Sequence, residues 1–317
     1  MKVRDEAFEY YFYFMSERMN IFWKRYDINE DDSSIYTTDP ILKKSKFTNV
    51  YRCTDRVSQY LIKNVIYSGD YTEEDLLVRV ILFKIFNRID TWEYLKDSVG
   101  DITYSNFDHN EISRLLTKRI DRQPIFSPAY LMTGSHSLYN DRYKFKHEKW
   151  LAMLSEEILR TNKIKSILNS STMNELYDEL NSCSFIGPFL AYQYSIDLNY
   201  SGCFNFDENS FVKAGIGAVR GIKKCFIDIG KYSYEDAIRY TQDNLDIYRE
   251  KYSFKFKNLF GREPTLIDLQ NCFCETDKYL RVKMPELSIG NKRIKQKFKE
   301  NRSNIDYFFP PKWKLTY

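Results

Sequence analysis

Apolar and aromatic residues recur at helical spacing along most of the chain. In Glu6–Tyr26 they fall three or four residues apart, which is the spacing of one helix face. Thr72-Glu-Glu-Asp75 is a capping box, and the apolar stretch Leu76–Phe86 after it predicts a buried helix. Further helices are predicted at Lys149–Leu168, Ser171–Cys183, Phe189–Tyr200 and Tyr234–Tyr252. Strand patterns are weak throughout, so the predicted fold class is all-α.

The stretch Asn209–Phe226 predicts two helices joined by a tight turn. Phe211 and Val212 are expected to close a short helix, and Ala218 to begin a second one that runs to Phe226. Between them, Gly215-Ile216-Gly217 allows a turn that needs either a positive φ or a close backbone approach. This is the pattern of a helix-hairpin-helix, although an ordinary helical turn explains the glycines equally well.

A helix-hairpin-helix presents the free backbone N–H groups at the start of its second helix, where they bind a phosphate. Arg220, Lys223 and Lys224 add positive charge to the predicted second helix. The residues expected to contact a DNA backbone are Gly215, Gly217, Arg220 and Lys223.

A second stretch, Pro264–Tyr279, contains Ile267-Asp268-Leu269-Gln270-Asn271. Helix-hairpin-helix DNA glycosylases have a similar Val/Ile-Asp motif downstream of their hairpin. A fixed carboxylate at that place stabilises the positive charge that develops on deoxyribose, or orients a water molecule. Asp268 is equally suited to capping a helix that begins near Leu269. About fifty residues separate Gly217 from Asp268, where the glycosylases typically have about twenty.

Polar groups recur on one face of the segment Ser45–Ile66, opposite an apolar stripe. A solvated face with internal ion pairs is the interpretation that periodicity favours, and a helix that lines a cleft is the alternative. Gln193 and Asp197 share one face of a later helix, where they would either read the edge of an extruded base or form structural hydrogen bonds. The polar residues of the earlier segment are Asn49, Arg52, Asp55, Arg56 and Gln59.

Composition restricts the function without choosing it. The 317 residues carry a net charge of +4, so any nucleic-acid contact has to come from local clusters rather than from bulk charge. The six cysteines lack the spacing of a zinc or iron–sulfur site and are expected to be reduced. Neither a signal region nor a run of 18 apolar residues is found, so a cytoplasmic protein without membrane contact is expected.

Taken together, five motifs resemble the alpha-glutamyl/putrescinyl thymine pyrophosphorylase clade, the helical family also found fused to hydroxymethyluracil DNA kinases. The resemblance runs from about Lys46 to Phe298, and the family is similar to helix-hairpin-helix DNA glycosylases. It implies a two-lobed helical fold and a DNA substrate whose hypermodified pyrimidine is rotated out of the duplex. The motifs begin at Phe47, Leu82, Gly187, Ala214 and Leu266.

Our main hypothesis from the sequence is a monofunctional DNA glycosylase that excises a 5-hydroxymethyl-derived pyrimidine, as a phage defence. Asp268 is the predicted catalytic residue, and no lyase step is expected because Val219 and Arg220 stand where a lyase has lysine. A first alternative is a transferase that replaces pyrophosphate on the base with an amine. A second is a non-catalytic module that binds modified DNA.

The remaining predictions concern supporting residues and organisation. Residues 1–40 are predicted to form an N-terminal helix and loop, 41–185 a helical lobe, and 186–317 the hairpin lobe with a C-terminal tail. The expected partner is double-stranded DNA with modified bases; no cofactor, metal or obligate protein partner is expected. The predicted base-binding residues are Asn49, Gln193, Asp197 and Asn271, and the supporting residues are Arg52, Asp55, Arg56, Glu275 and Lys278.

Overall fold

The computed structural model describes residues 1–27, 36–129, 132–288, 294, 296–298 and 303–317. The protein is mostly helical, with 59% of residues in helices and 3% in strands, which confirms the all-α class. In chain order the helices of the described residues are α1 (Asp5–Asp27), α2 (Pro40–Lys44), α3 (Arg56–Tyr60), α4 (Glu73–Phe86), α5 (Ile89–Val99), α6 (His109–Ile120), α7 (Ser137–Asn140), α8 (Lys146–Met153), α9 (Lys163–Leu168), α10 (Met173–Asn181), α11 (Pro188–Asn199), α12 (Ile216–Cys225), α13 (Tyr234–Asp243), α14 (Leu245–Lys251) and α15 (Leu266–Lys283).

Short elements complete the secondary structure. α3 and α8 continue as π-helical turns, Leu61–Ile66 and Leu154–Leu159. Two antiparallel strands, β1 (Lys2–Val3) and β2 (Phe226–Asp228), form a small sheet. The 3₁₀ turns are Arg52–Thr54, Pro285–Leu287 and Pro311–Trp313.

The chain forms two compact units. The first comprises Met1–Asp55, Phe211–Asp306 and Leu315–Tyr317, and the second comprises Arg56–Ser210 and Tyr307–Lys314. The bounds of these two units differ from the ranges predicted from the sequence, 1–40, 41–185 and 186–317. Those three ranges stay a prediction of functional organisation. Part of the predicted N-terminal loop, residues 28–35, lies outside the described residues.

The first unit is built on three helices, α1, α12 and α15, that pack against one another. The apolar stripe predicted for α1 is buried, and Tyr11 lies with its ring centroid 4.3 Å from that of Phe273 on α15. The hydroxyl of Tyr11 donates to the Leu269 carbonyl at 3.1 Å. Aromatic burial of this kind explains why so many Phe and Tyr residues follow the helical repeat.

Two glycines let α12 and α15 approach closely. A Cβ atom on Gly217 would lie 2.3 Å from Cys274 Sγ, and one on Gly221 would lie 2.0 Å from the Phe273 carbonyl oxygen. Both distances are shorter than a methyl group tolerates, so glycine is required at these two positions. The close approach predicted for Gly217 is therefore present, and it serves helix packing.

The second unit has α4 at its core, as its capping box and apolar sequence predict. Thr72 accepts from the Asp75 N–H and Asp75 accepts from the Thr72 N–H, and the side chains from Leu77 to Phe86 are buried. Arg79 lies among them, and its guanidinium donates to the Val65 and Ile102 carbonyls.

Three local predictions are wrong. The single helix predicted over Lys149–Leu168 is interrupted after Leu159, because residues 160–162 form a turn before α9 begins. Phe211 and Val212 belong to no helix, because α11 ends at Asn199 and the chain is irregular up to Gly215. The hairpin therefore lacks its predicted first helix. The single helix predicted over Tyr234–Tyr252 is divided at Asn244 into α13 and α14, since Asn244 leaves the helical conformation with φ −115° and ψ 17°.

Candidate active site

Three segments of the first unit bring polar side chains together: α1, the segment that precedes α3, and one face of α15. We call this group the polar cluster. On α15 its members are spaced three and four residues apart, so they share a face of the helix. The polar cluster consists of Arg18, Thr48, Asn49, Asp55, Asn271, Glu275 and Lys278.

Asn49 lies at the centre of the contacts made by α1. Its side-chain oxygen accepts from Arg18 Nη2 at 2.6 Å, and Arg18 Nε donates to the Thr48 carbonyl at 3.1 Å. The Asn49 backbone N–H donates to Asp55 Oδ1 at 2.9 Å, and its side-chain amide donates to the Thr54 carbonyl at 3.1 Å. The segment 48–55 is thus folded around one amide and held by one guanidinium.

The α15 face holds the same segment from the other side. Asn271 Nδ2 donates to Thr48 Oγ1 and to the Asn49 carbonyl, both at 3.0 Å. Glu275 Oε2 accepts from the Thr48 N–H at 3.2 Å, while its Oε1 accepts from Lys278 Nζ at 2.6 Å. Glu275 is only 2% exposed, so its charge requires the partners it has here.

Burial changes the acidity of two groups in the polar cluster. Loss of solvent raises the pKa of Asp55 to about 6, against the opposing effects of the Asn49 N–H and Arg18. Loss of solvent also lowers the pKa of Arg18, which Asp55 and Glu275 counteract. Asp55 can consequently gain or lose a proton near neutral pH, which suits a general acid or base.

Lys278 is a cation at the edge of the polar cluster. Burial acts to lower its pKa, but the Glu275 carboxylate outweighs that effect and the net pKa is raised. Its ammonium group has three N–H donors, and its side chain is 29% exposed. It can therefore hold Glu275 and still meet an anionic ligand.

Asp268 lies in the capping box of α15, with Thr265 as the N-cap residue. Its Oδ2 accepts from the N–H and hydroxyl of Thr265 at 3.0 and 3.2 Å. Its Oδ1 accepts from the Arg52 N–H at 3.0 Å, which fixes the turn Arg52–Thr54 against the start of α15. The carboxylate thus positions the segment that carries Asp55.

The N-terminus of α12 is the place where DNA contact is predicted. Gly215 is the N-cap residue with an ordinary φ of −66°, and no side chain caps the helix. Glu235 Oε1 accepts from the neighbouring Ala214 N–H at 2.9 Å, so this donor is already used. Arg220 is half-buried and Lys223 exposed on the outer side of α12.

Lys224 does not add charge to that surface, contrary to the prediction. It is 1% exposed, and its Nζ lies 2.9 Å from Asp277 Oδ1 and donates to the Asp277 carbonyl at 3.0 Å. Arg281 also pairs with Asp277. Lys224 turns inward because it follows Gly221 by three positions, on the face that meets α15.

Three predicted site residues belong to the second unit. Gln193 and Asp197 are buried on α11, and Asp197 forms an ion pair of 3.1 Å with the buried Lys84 of α4. Lys84 also donates to Asn87 Oδ1 at 2.8 Å. Arg56 is the first residue of α3. The first unit therefore contains Asn49, Arg52, Asp55 and the predicted site residues of α15. The second unit contains Arg56, Gln193 and Asp197.

Sequence reasoning missed Arg18 and Thr48 as members of the polar cluster. Arg18 follows Met15 by three residues and precedes Phe22 by four, so it stands on the apolar stripe of α1. A charged residue on such a stripe is the signal that could have identified it, because a buried charge needs partners.

Two features are absent from the part of the chain that the structure describes. Within that part, no helix combines the length and apolar character that a membrane crossing requires. The same part contains no group of three or more His, Cys, Asp or Glu side chains arranged to hold a metal ion.

The chain is similar to the helical domain of a family of DNA kinases. A family model described as "5-hmdU DNA kinase, helical domain" matches residues 5–289. A 5-hmdU DNA kinase of Bacillus phage SP10 is 24% identical over 320 aligned positions, which cover 95% of this chain and 49% of the relative. The chain therefore spans about half the length of that relative. No solved structure matches the chain.

These findings correct the main hypothesis drawn from the sequence. A hydrolytic DNA glycosylase as the principal activity is wrong, because the named relative is a kinase and hence a transferase. The similarity is to the helical part of an enzyme whose name refers to DNA with a modified base. The catalytic role of Asp268 stays a prediction from the sequence, and the contacts of its carboxylate are those of a helix cap and of the turn Arg52–Thr54.

Proposed function

Because the chain belongs to the helical-domain family of the 5-hmdU DNA kinases, we propose that it is a transferase acting on DNA with 5-hydroxymethyl-pyrimidine derivatives. The reaction replaces a pyrophosphate group on the 5-methylene carbon with an amine, as the resemblance to the pyrophosphorylase clade implies. The C–O bond to pyrophosphate breaks, a C–N bond forms, and the nitrogen loses one proton. The 317 residues contain no P-loop, so a kinase activity outside them supplies the pyrophosphorylated base.

The observation that carries the proposal is the polar cluster, which combines a carboxyl group of pKa about 6 with two cations. Asp55 accepts the proton that the amine nitrogen loses as the C–N bond forms. Lys278 and Arg18 stabilise the negative charge on the departing pyrophosphate. Asn49 and Asn271 orient the base by hydrogen bonds, with Glu275 holding Lys278 in place.

Contact with the DNA backbone is assigned to the outer side of α12. Arg220 and Lys223 bind phosphates there, and the absence of a side chain on Gly215 lets the strand approach the start of the helix, whereas Gly217 faces α15. Asp268 and Arg52 act as positioning residues through the turn Arg52–Thr54. Gln193, Asp197 and Arg56 stay predictions from the sequence and take no part in the proposed step.

The test is a turnover assay on duplex DNA that contains 5-(pyrophosphoryloxymethyl)uracil, with a mixture of amino acids and polyamines. Released pyrophosphate is measured, and the digested nucleosides are analysed by mass spectrometry. We expect an amine-substituted nucleoside from the wild type, and a rate lower by about 100-fold or more in Asp55→Asn. Asp246→Asn is the matched control, because its side chain is 96% exposed on α14.

Wild-type rates in Asp55→Asn would remove Asp55 from the reaction. If the wild type releases no pyrophosphate with any amine, the transferase proposal is wrong for this chain.

One observation favours a second candidate, a module that binds modified DNA without chemistry. The Asp268 carboxylate is occupied by capping contacts, and the side chains of the polar cluster bond largely to one another. For such a module, Asp55→Asn would leave the DNA unchanged in mass and alter only its affinity. Binding curves with hydroxymethylated and ordinary DNA, measured beside the turnover assay, separate the two candidates.

A further inference from the structure

Ile216 is the first residue of α12 and is 73% exposed, although it is a large apolar side chain. Its neighbours on both sides, Gly215 and Gly217, have no side chains. The Ile216 side chain therefore projects alone from the tip of the helix. A single exposed apolar side chain is common on protein surfaces, so the residues beside it decide what it can contact.

The tip that carries Ile216 is held in place by its packing. Gly217 lies against Cys274, and one turn later Gly221 lies against the Phe273 carbonyl. Cys225, at the end of α12, is buried with its thiol near the Ala7 carbonyl. Because these contacts hold the start of α12 in place, the Ile216 side chain can be inserted into a partner without displacing the helix.

The charges beside Ile216 indicate what that partner is. Arg220 and Lys223 follow it by four and seven residues, so all three share one face of α12. Lys223 Nζ lies 5.7 Å above the ring of Tyr234, and Arg220 makes no ion pair with any described residue. An apolar tip followed by a row of cations complements a nucleic acid, whose bases are apolar and whose backbone is anionic.

We propose that Ile216 inserts into the base stack of the DNA, beside the modified nucleotide, while Arg220 and Lys223 hold the adjacent phosphates. Insertion of an apolar side chain separates neighbouring bases and lowers the cost of rotating one of them out of the duplex. The inference rests on the proposed function, since it assumes a DNA substrate. It adds the residue that opens the stack.

The experiment uses duplex DNA with 2-aminopurine next to 5-hydroxymethyluracil, because the fluorescence of 2-aminopurine rises when it loses its stacking partner. Fluorescence is read at saturating protein, so that differences in affinity do not enter. We expect the wild type to raise it severalfold and Ile216→Ala to lose most of that rise. Ile216→Phe, which keeps a large apolar group, should retain it.

Ile247→Ala is the matched control, because Ile247 is also exposed, at 62%, and lies on α14 of the same unit. It should behave as the wild type. A full rise with saturating Ile216→Ala would overturn the insertion while leaving DNA binding intact. If the wild type does not bind this duplex, as measured by fluorescence anisotropy, the proposed function is overturned together with the inference.

Discussion

Replacing Asp55 with asparagine should make the stability of the protein less dependent on pH. The pKa of Asp55 is raised from 3.8 to about 6 in the folded protein. The folded state therefore keeps the proton to a higher pH than the unfolded state does. The corresponding stability is fully present below about pH 3.8 and is lost as the pH rises through 6.

The size of the effect follows from the shift of about two pKa units, each of which corresponds to about 1.4 kcal/mol. The free energy of unfolding of the wild type should thus fall by up to about 3 kcal/mol, relative to Asp55→Asn, between pH 4 and pH 7. The asparagine retains a side-chain oxygen that accepts from the Asn49 N–H, so the local hydrogen bond survives the change.

Urea unfolding followed by tryptophan fluorescence at several pH values measures this difference, with Asp246→Asn as the exposed control. If the difference between wild type and Asp55→Asn stays constant from pH 4 to pH 7, the burial of Asp55 does not have the assigned effect. The proton-acceptor role would then lose its physical basis.

Three further changes test the packing that supports the site. Gly221→Ala should lower the free energy of unfolding by about 2 kcal/mol or more, because the new methyl group meets the Phe273 carbonyl. Gly202→Ala is the control and should be tolerated, since its new methyl group would have no other atom within 4 Å. Equal melting temperatures for the two variants would contradict this reasoning. Asp277→Asn should cost about 3 to 5 kcal/mol by leaving the Lys224 charge buried without its counter-ion, and denaturant unfolding that shows less than 1 kcal/mol would refute the ion pair's importance. Asp268→Asn should cost about 1 to 2 kcal/mol through lost capping contacts, and an unchanged unfolding curve would speak against the positioning role.

Local patterns predicted the helices whose signals are local. The capping box at Thr72–Asp75 and the apolar run after it place α4 correctly, because both depend on residues a few positions apart. The apolar stripe likewise predicted a helix over Glu6–Tyr26, and each end of this range lies one residue from the observed end of α1, Asp5–Asp27. Phe211 and Val212 failed as a helix end, since a Gly-x-Gly turn says little about what precedes it.

The arrangement of the site depends on contacts that spacing does not encode. Asn49 meets Arg18 across 31 positions, and Thr48 meets Glu275 across 227. The inward direction of Lys224 depends on Asp277, 53 positions later. Residue types pointed to Asn49, Asp55 and Glu275, but only their burial and pairing reveal a carboxyl group that titrates near pH 6.

The mass of the DNA itself tests the central proposal most directly. Duplex DNA with 5-(pyrophosphoryloxymethyl)uracil is incubated with the protein and amines, and the intact strands are weighed by mass spectrometry. The account predicts strands that have lost pyrophosphate and gained the amine, with every glycosidic bond intact. Strands of unchanged mass, or strands that have lost the base, would contradict it.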